Sequence, residues 1–193
     1  MSKLKNILFN NYSVILVVFV SFALLFAQQR GNLGSKNNII FDMAGYYTYL
    51  PATFIWKDLS AKSVENYPEK AWFMYPTETG GRVNKYAIGM SIFLLPFFLL
   101  AHGIAHLIDA PLTGFSKPYL AVMYLAPYFY LLLGLYFLRK VLNKFYTDTI
   151  SNITIITIGL ATNLLFYSSI AGLMSHCQLF FTFSAILYLT IKW

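Results

Sequence analysis

Residues 87 to 108, AIGMSIFLLPFFLLAHGIAHLI, run without a formal charge. A helix needs about 20 apolar residues to cross a bilayer, so such a stretch must be surrounded by protein core or by lipid. Four further segments are of the same kind: Ile7 to Ala27, Tyr119 to Leu138 with Pro127 inside, Ile150 to Ile170 softened by Asn152 and Asn163, and residues 176–193. A chain of 193 residues with five such segments has little left to cover a water-soluble core. Only 11% of residues are charged, against about 25% in soluble domains, and 58% are hydrophobic. The expected fold class is therefore all-α, a polytopic membrane helical bundle within a single transmembrane domain over 1–193.

The formal charge of +7 does not indicate nucleic acid, because no run of Lys and Arg is long enough to track a phosphate backbone. Basic residues beside apolar segments are better read as topology signals. The single cysteine, Cys177, excludes an intramolecular disulfide and a multi-cysteine metal site. Lys3 and Lys5 precede an apolar run in the manner of a signal peptide. That run is too long, however, and Gln28-Gln29-Arg30-Gly31 is a poor cleavage site, so an uncleaved first span at 7–27 is expected. The last apolar run stops with the chain at Trp193, which suggests the N-terminal part of a longer protein.

Between the first two apolar segments, Gln28 to Tyr86 holds five of the seven acidic residues and seven of the fourteen basic ones. PTETGGRVNK (76–85) reads as flexible turn, and 57–73 has room for a short surface helix before Pro68. If the N-terminus is cytoplasmic and every segment spans, Arg139, Lys140 and Lys144 fall outside, against the positive-inside rule. If 87–108 instead dips in and returns, or lies against the bundle, Lys3, Lys5, Arg139, Lys140, Lys144 and Lys192 are all cytoplasmic. Spans then occupy 7–27, 119–138, 150–170 and 176–193, with an external loop over 28–118. An external N-terminus with five spans also satisfies the charges, though Lys3 and Lys5 oppose it.

FDMAGYYTYLPATF (41–54) carries the chemistry of most interest. Asp42 has three non-polar residues on each side and three tyrosines close behind. It is either a helix N-cap, accepting a backbone N–H, or a carboxylate held at the membrane surface, where partial desolvation makes a stronger base. Tyr46, Tyr47 and Tyr49 form either an interfacial aromatic belt or a surface on which a sugar stacks. Arg82, Lys85 and Tyr86 stand just before the charge-free run, as a membrane anchor or as a site for a lipid phosphate. His176, in MSHCQLFF, is a helix-end polar residue or a group that faces substrate. His102 and His106 share a helix face at i, i+4, but no third ligand is evident and no metal site or other cofactor is predicted. No P-loop, GxGxxG, GxSxG or HExxH is present.

Four stretches occur in order: FDMAGYYTYLPATFI, NKYAIGMSIFLLPFFLLAH, TGFSKPYLAVM and GLMSHCQLFFTFSAILYL. Together they resemble the N-terminal part of bacterial GT-C membrane glycosyltransferases, the superfamily that includes protein O-mannosyltransferases and aminoarabinose transferases. The likeness is greatest to a branch with a D-x-x-GYY-x-YLPA loop and an MSH motif, and it covers most of the chain. It implies an enzyme of the bacterial cytoplasmic (inner) membrane, N-terminus inside. Such an enzyme moves a sugar from a polyprenyl-phosphate donor to an acceptor at the external face, with no nucleic acid involved. It implies membrane-surface helices in the first external loop and Asp42 as the group that activates or aligns the acceptor. Tyr46, Tyr47, Arg82, Lys85 and Tyr86 would bind substrate, with His176 as the second candidate catalytic residue. Many members carry a second acid on the next external loop. Here that loop, 167–175, has none, and His176 adjoins it. Two other classes fit the composition: a transporter or channel segment, and a non-catalytic membrane assembly subunit.

Overall fold

The computed structural model describes residues 11–29, 39–63, 67 and 72–193. The chain is mostly helical and divides into two compact units, Met1–Gly31 with Ala126–Trp193, and Asn32–Leu125. Two stretches are long and apolar enough to cross a membrane, Gly89–Leu107 and Lys117–Leu142, and a third if the bent pair Asp148–Leu160 and Asn163–Ser169 counts as one.

The first unit contains α1 (Tyr12–Gln28), α6 (Ala126–Leu142), α7 (Asp148–Leu160), α8 (Asn163–Ser169) and α9 (His176–Lys192). On α1, Ser13, Val14, Val17, Ser21 and Leu25 are buried at spacings of three and four, the stripe of one helix face. The outer face is also apolar, with Phe19 67% exposed, where a water-facing helix would carry polar side chains. Close approach depends on glycines: a Cβ on Gly159 would meet Val17 at 2.3 Å, and one on Gly134 would meet Phe180 at 2.6 Å.

Contacts along the helices fix their directions. Arg139 reaches Asn11, and the Tyr128 hydroxyl donates to the Ser21 carbonyl at 3.3 Å, so α1 and α6 are antiparallel. Ser13 meets Asn152 and Val17 meets Gly159, so α7 runs with α1. Gly134 meets Phe180 and Phe137 meets Tyr188, so α9 runs with α6. One end of this unit therefore carries Arg139, Lys140, Lys144 and Lys192, and the other carries Gln29 and His176. The fourth apolar segment is broken rather than straight. Thr162 caps α8, accepting from the Leu164 N–H at 3.2 Å, and the axis bends by 61°.

The second unit contains α2 (Phe41–Tyr47), a short α3 (Tyr49–Pro51) that widens into a π-helical turn over Ala52–Trp56, α4 (Gly89–Leu107) and α5 (Lys117–Met123). It also contains a hairpin of β1 (Met74–Pro76) and β2 (Arg82–Asn84), with Tyr75 opposite Val83. The sequence reading gave this stretch only as turn; strands of three residues with a proline at one end carry too little alternation to be seen. The helix expected before Pro68 does not form over the described residues 57–63, and residues 64–66 and 68–71 lie outside the described residues. Helix α4 runs unbroken through Pro96 and Gly103, where a dip and return had been considered. It buries Met90, Leu94, Phe98, Ala101 and Ala105 and exposes Ile92, Leu99, Leu100 and Leu107.

Candidate functional site around Asp42

Asp42 lies in the first turn of α2, and Ile40 occupies the N-cap position. The N-cap alternative is thus not what the helix adopts. Instead the Asp42 Oδ1 accepts a hydrogen bond from the Tyr86 hydroxyl, 44 positions away in sequence. The carboxylate is half-buried, and among the described residues its second oxygen has no partner.

Gly45 makes this pairing possible. The Tyr86 ring lies against the α2 backbone there, and a Cβ on Gly45 would come within 2.0 Å of ring carbon Cδ2. The backbone is fastened at the same place. Asn84 Nδ2 donates to the Gly45 carbonyl at 2.8 Å, and Asn84 Oδ1 accepts from the Tyr86 N–H at 3.0 Å. The Tyr49 hydroxyl donates to the Tyr86 carbonyl at 2.6 Å. Tyr46 packs its ring 4.7 Å from that of Tyr86. Desolvation, followed by the hydrogen bond to Asp42, raises the Tyr86 pKa well above the ordinary phenol value, so it stays a donor through the neutral range.

Lys85 supplies the cation. Its Nζ sits 4.2 Å from the Trp72 ring centroid and 4.8 Å from that of Tyr86. Aromatic faces hold an ammonium in place without neutralising it. Among the described residues no carboxylate pairs with Lys85 or with Arg82. Arg82 and Asn84 alternate with the exposed Val83 and so share a face of the hairpin. The result is a half-open carboxylate, one oxygen set by a phenol whose ring also carries an ammonium on its face. It can take a proton from a hydroxyl and can hold an anion.

The expected site residues are not all placed alike. Asp42, Tyr46, Lys85 and Tyr86 come together, with Arg82 on the adjoining strand. Tyr47, expected to bind substrate, is fully buried and donates to the Gly114 carbonyl at 2.5 Å, which leaves it no free surface. Its neighbour Tyr46 points about 100° away on the same helix and takes the open side. His176 belongs to the other unit, where it stacks flat on Tyr167 with centroids 3.4 Å apart, and its buried Nδ1 has no partner. Trp72, Asn84 and Gly45 were missed by the sequence reading; only the glycine before the paired tyrosines offered a signal. His102 shares a hydrogen bond with the Tyr119 hydroxyl and packs edge-on against His106. Among the described residues no group of three or more metal-ligating side chains converges.

Comparison with protein-family models, curated proteins and solved structures gives no match for this chain.

Proposed function

We propose that the chain is the entrance portion of a membrane glycosyltransferase that takes its sugar from a polyprenyl-phosphate donor at the external face of a bacterial inner membrane. The observation that carries the reading is the Asp42 carboxylate, oriented by Tyr86 and left with one open oxygen, while the same Tyr86 ring carries the Lys85 ammonium on its face. In this mechanism the acceptor hydroxyl attacks the anomeric carbon as the bond to the lipid phosphate breaks. Asp42 takes the hydroxyl proton, and the phosphate leaves with the electron pair, its charge met by Lys85 and Arg82. One displacement inverts the anomeric configuration. Tyr86 keeps the carboxylate turned toward the acceptor, and Tyr46 offers a ring face to the sugar.

Topology supports the same reading. If α1 and α6 both cross the membrane, the chain between them crosses an even number of times, because α1 ends and α6 begins at the same end of the first unit. Among the described residues α4 is the one helix in that stretch long enough to cross, and a single full crossing would break the parity. The end bearing Arg139, Lys140, Lys144 and Lys192 is then cytoplasmic. In a Cys177→Ser background, a cysteine at Lys62 is expected to react with an impermeant reagent from outside and one at Lys144 is not. External labelling at residue 144 would overturn this topology.

A second reading, a transport segment, draws on different features. Gln29 and Gln178 are 2% and 1% exposed with both amide atoms unpaired, and the α7–α8 segment is bent. Broken helices and buried polar groups are how transporters build a path. Proteoliposomes with the full-length protein and a panel of labelled polyprenyl-phosphate sugars decide between the two. The enzyme reading predicts loss of label from the lipid to an acceptor, with inverted configuration. Movement of intact donor across the bilayer without cleavage would establish transport instead.

A further inference from the structure

The two histidines of α4 belong to a second cluster, away from Asp42. Ser91 marks the near end of the helix, where its hydroxyl donates to the Tyr46 carbonyl. His102 lies about 16 Å further along the axis at the α-helical rise. The His102 ring stacks on the fully buried Phe98, centroids 5.8 Å apart, and meets the His106 ring edge-on at 4.8 Å. Phe98 also packs 5.7 Å from Phe54 of the π-helical turn, and Lys57 caps the end of that turn. The charges of His106 and Lys57 both bear on the His102 ring.

The donors in this cluster can be assigned. Tyr119 is fully buried, and its hydroxyl shares a hydrogen bond with His102 Nδ1 at 2.5 Å. A buried phenol needs an acceptor for its proton, and Nδ1 is the partner it has. The ring proton of neutral His102 therefore sits on Nε2, as a second donor. His106 and Lys57 are exposed, and among the described residues no carboxylate pairs with either. Asp58, next to Lys57, accepts instead from the Ser63 N–H at 3.0 Å, and Asp109, beyond α4, makes no ion pair. Lys57 also holds a left-handed backbone, φ 55, an outlier of the kind that collects at ligand clamps. A divalent cation fits poorly, because two histidines supply two ligands, no third converges among the described residues, and Lys57 repels it. An oxyanion fits, since its several oxygens accept from separate donors.

We infer that Lys57, His102 and His106 bind a phosphate-class oxyanion, with charge from Lys57 Nζ and N–H donors from His102 Nε2 and the His106 ring. The inference does not depend on sugar transfer at Asp42. The same chemistry serves a soluble phosphate and an anionic lipid headgroup, and the test separates the two.

NMR of the full-length protein with isotope-labelled histidine, in phosphate-free detergent buffer at neutral pH, follows the site directly. His102→Gln and His106→Gln identify the two signals. Millimolar inorganic phosphate should shift both along a saturable curve and leave His176, in the other unit, unmoved. Lys57→Gln should weaken the apparent affinity by about tenfold, and Lys57→Arg should keep most of it. Lys62→Gln, which removes an exposed cation elsewhere in the unit, should leave it unchanged. Saturable shifts with inorganic phosphate assign a soluble ligand. Lys57-dependent shifts that appear only in phosphatidylglycerol nanodiscs, and not in phosphatidylcholine ones, assign a headgroup. Signals unmoved under both conditions would overturn the proposal. So would shifts indifferent to Lys57, or shifts that chloride reproduces at equal ionic strength.

Discussion

Arg139 and Asp42 are both charged groups set among apolar neighbours, and the protein treats them differently. Arg139 is 6% exposed, and its guanidinium donates to Asn152 at 3.2 Å, Asn11 at 3.5 Å and Asp148 at 2.9 Å. Asn152 accepts in turn from Ser13, and Asp148 from Asn143. This network ties the start of α1, the end of α6 and the start of α7 into one saturated knot. Asp42 is half-buried and takes a single bond from Tyr86, whose ring carries on its face a cation held only by rings. Saturation is what a structural charge needs, because a buried unpaired ion is costly. Leaving an oxygen open is what a group needs if it is to meet a substrate. The difference predicts that damage at the first place lowers stability, and that damage at the second lowers turnover.

The largest expected stability effect is at the saturated cluster. Arg139→Met keeps the apolar stem and removes the guanidinium's hydrogen bonds to Asn152, Asn11 and Asp148. It should cost about 2–3 kcal/mol, the scale of charged hydrogen bonds, with turnover per folded molecule unchanged. Detergent-solubilised melting measures it, and an unchanged melting temperature would erase the contrast. Gly45→Ala comes next. The added Cβ must push the Tyr86 ring off α2, at about 1–3 kcal/mol, and should cut turnover as well because Asp42 loses its orienting partner. Loss of stability without loss of turnover would mean that Tyr86 only packs.

Tyr86→Phe is the smallest change and the sharpest. It removes one hydroxyl and should lower turnover by about tenfold, with little effect on melting at neutral pH. Its signature is alkaline. A group whose folded pKa is raised contributes stability that is complete below its unfolded value, about 10 for a phenol, and that is lost as pH rises through the higher folded value. Wild type should therefore lose stability above about pH 10 faster than Tyr86→Phe. Tyr67, pushed up to about 12 chiefly by burial, and Tyr49 shift the same way in both proteins, so the difference isolates Tyr86. Identical alkaline profiles would sever Tyr86 from Asp42.

Much of the helical framework is legible in the sequence, since long apolar runs have few other solutions, and a helix does follow Asp42. The surroundings of Asp42 are less so. Its partner comes from a hairpin of three-residue strands that leave almost no periodic trace, and the pairing depends on an absent side chain at Gly45. Tyr46 and Tyr47 look equivalent in a row of letters, yet adjacent positions on a helix face different ways, so one lines the open side and the other fills the core. Arg139 was legible only as a topology signal. Its network draws on Asn11, Asn152 and Asp148, dispersed along the chain, and only packing brings them together. The break at Thr162 and its 61° bend were not legible, since Asn152 and Asn163 soften the apolar run alike and only the second lies at a break.

The central claim is that the Asp42 carboxylate acts on substrate rather than on the fold. It is tested most directly by comparing Asp42→Asn with Arg139→Met in the full-length protein, for donor consumption and for melting temperature in the same preparations. Asparagine keeps the size and the hydrogen bond to Tyr86 but cannot take a proton. The account predicts a fall in turnover of about a hundredfold or more for Asp42→Asn, with a stability change under about 1 kcal/mol from the lost charge in the first helical turn. Arg139→Met should show the reverse. Near-normal turnover in Asp42→Asn together with a large drop in melting temperature would contradict the account and place Asp42 with Arg139 among the structural charges.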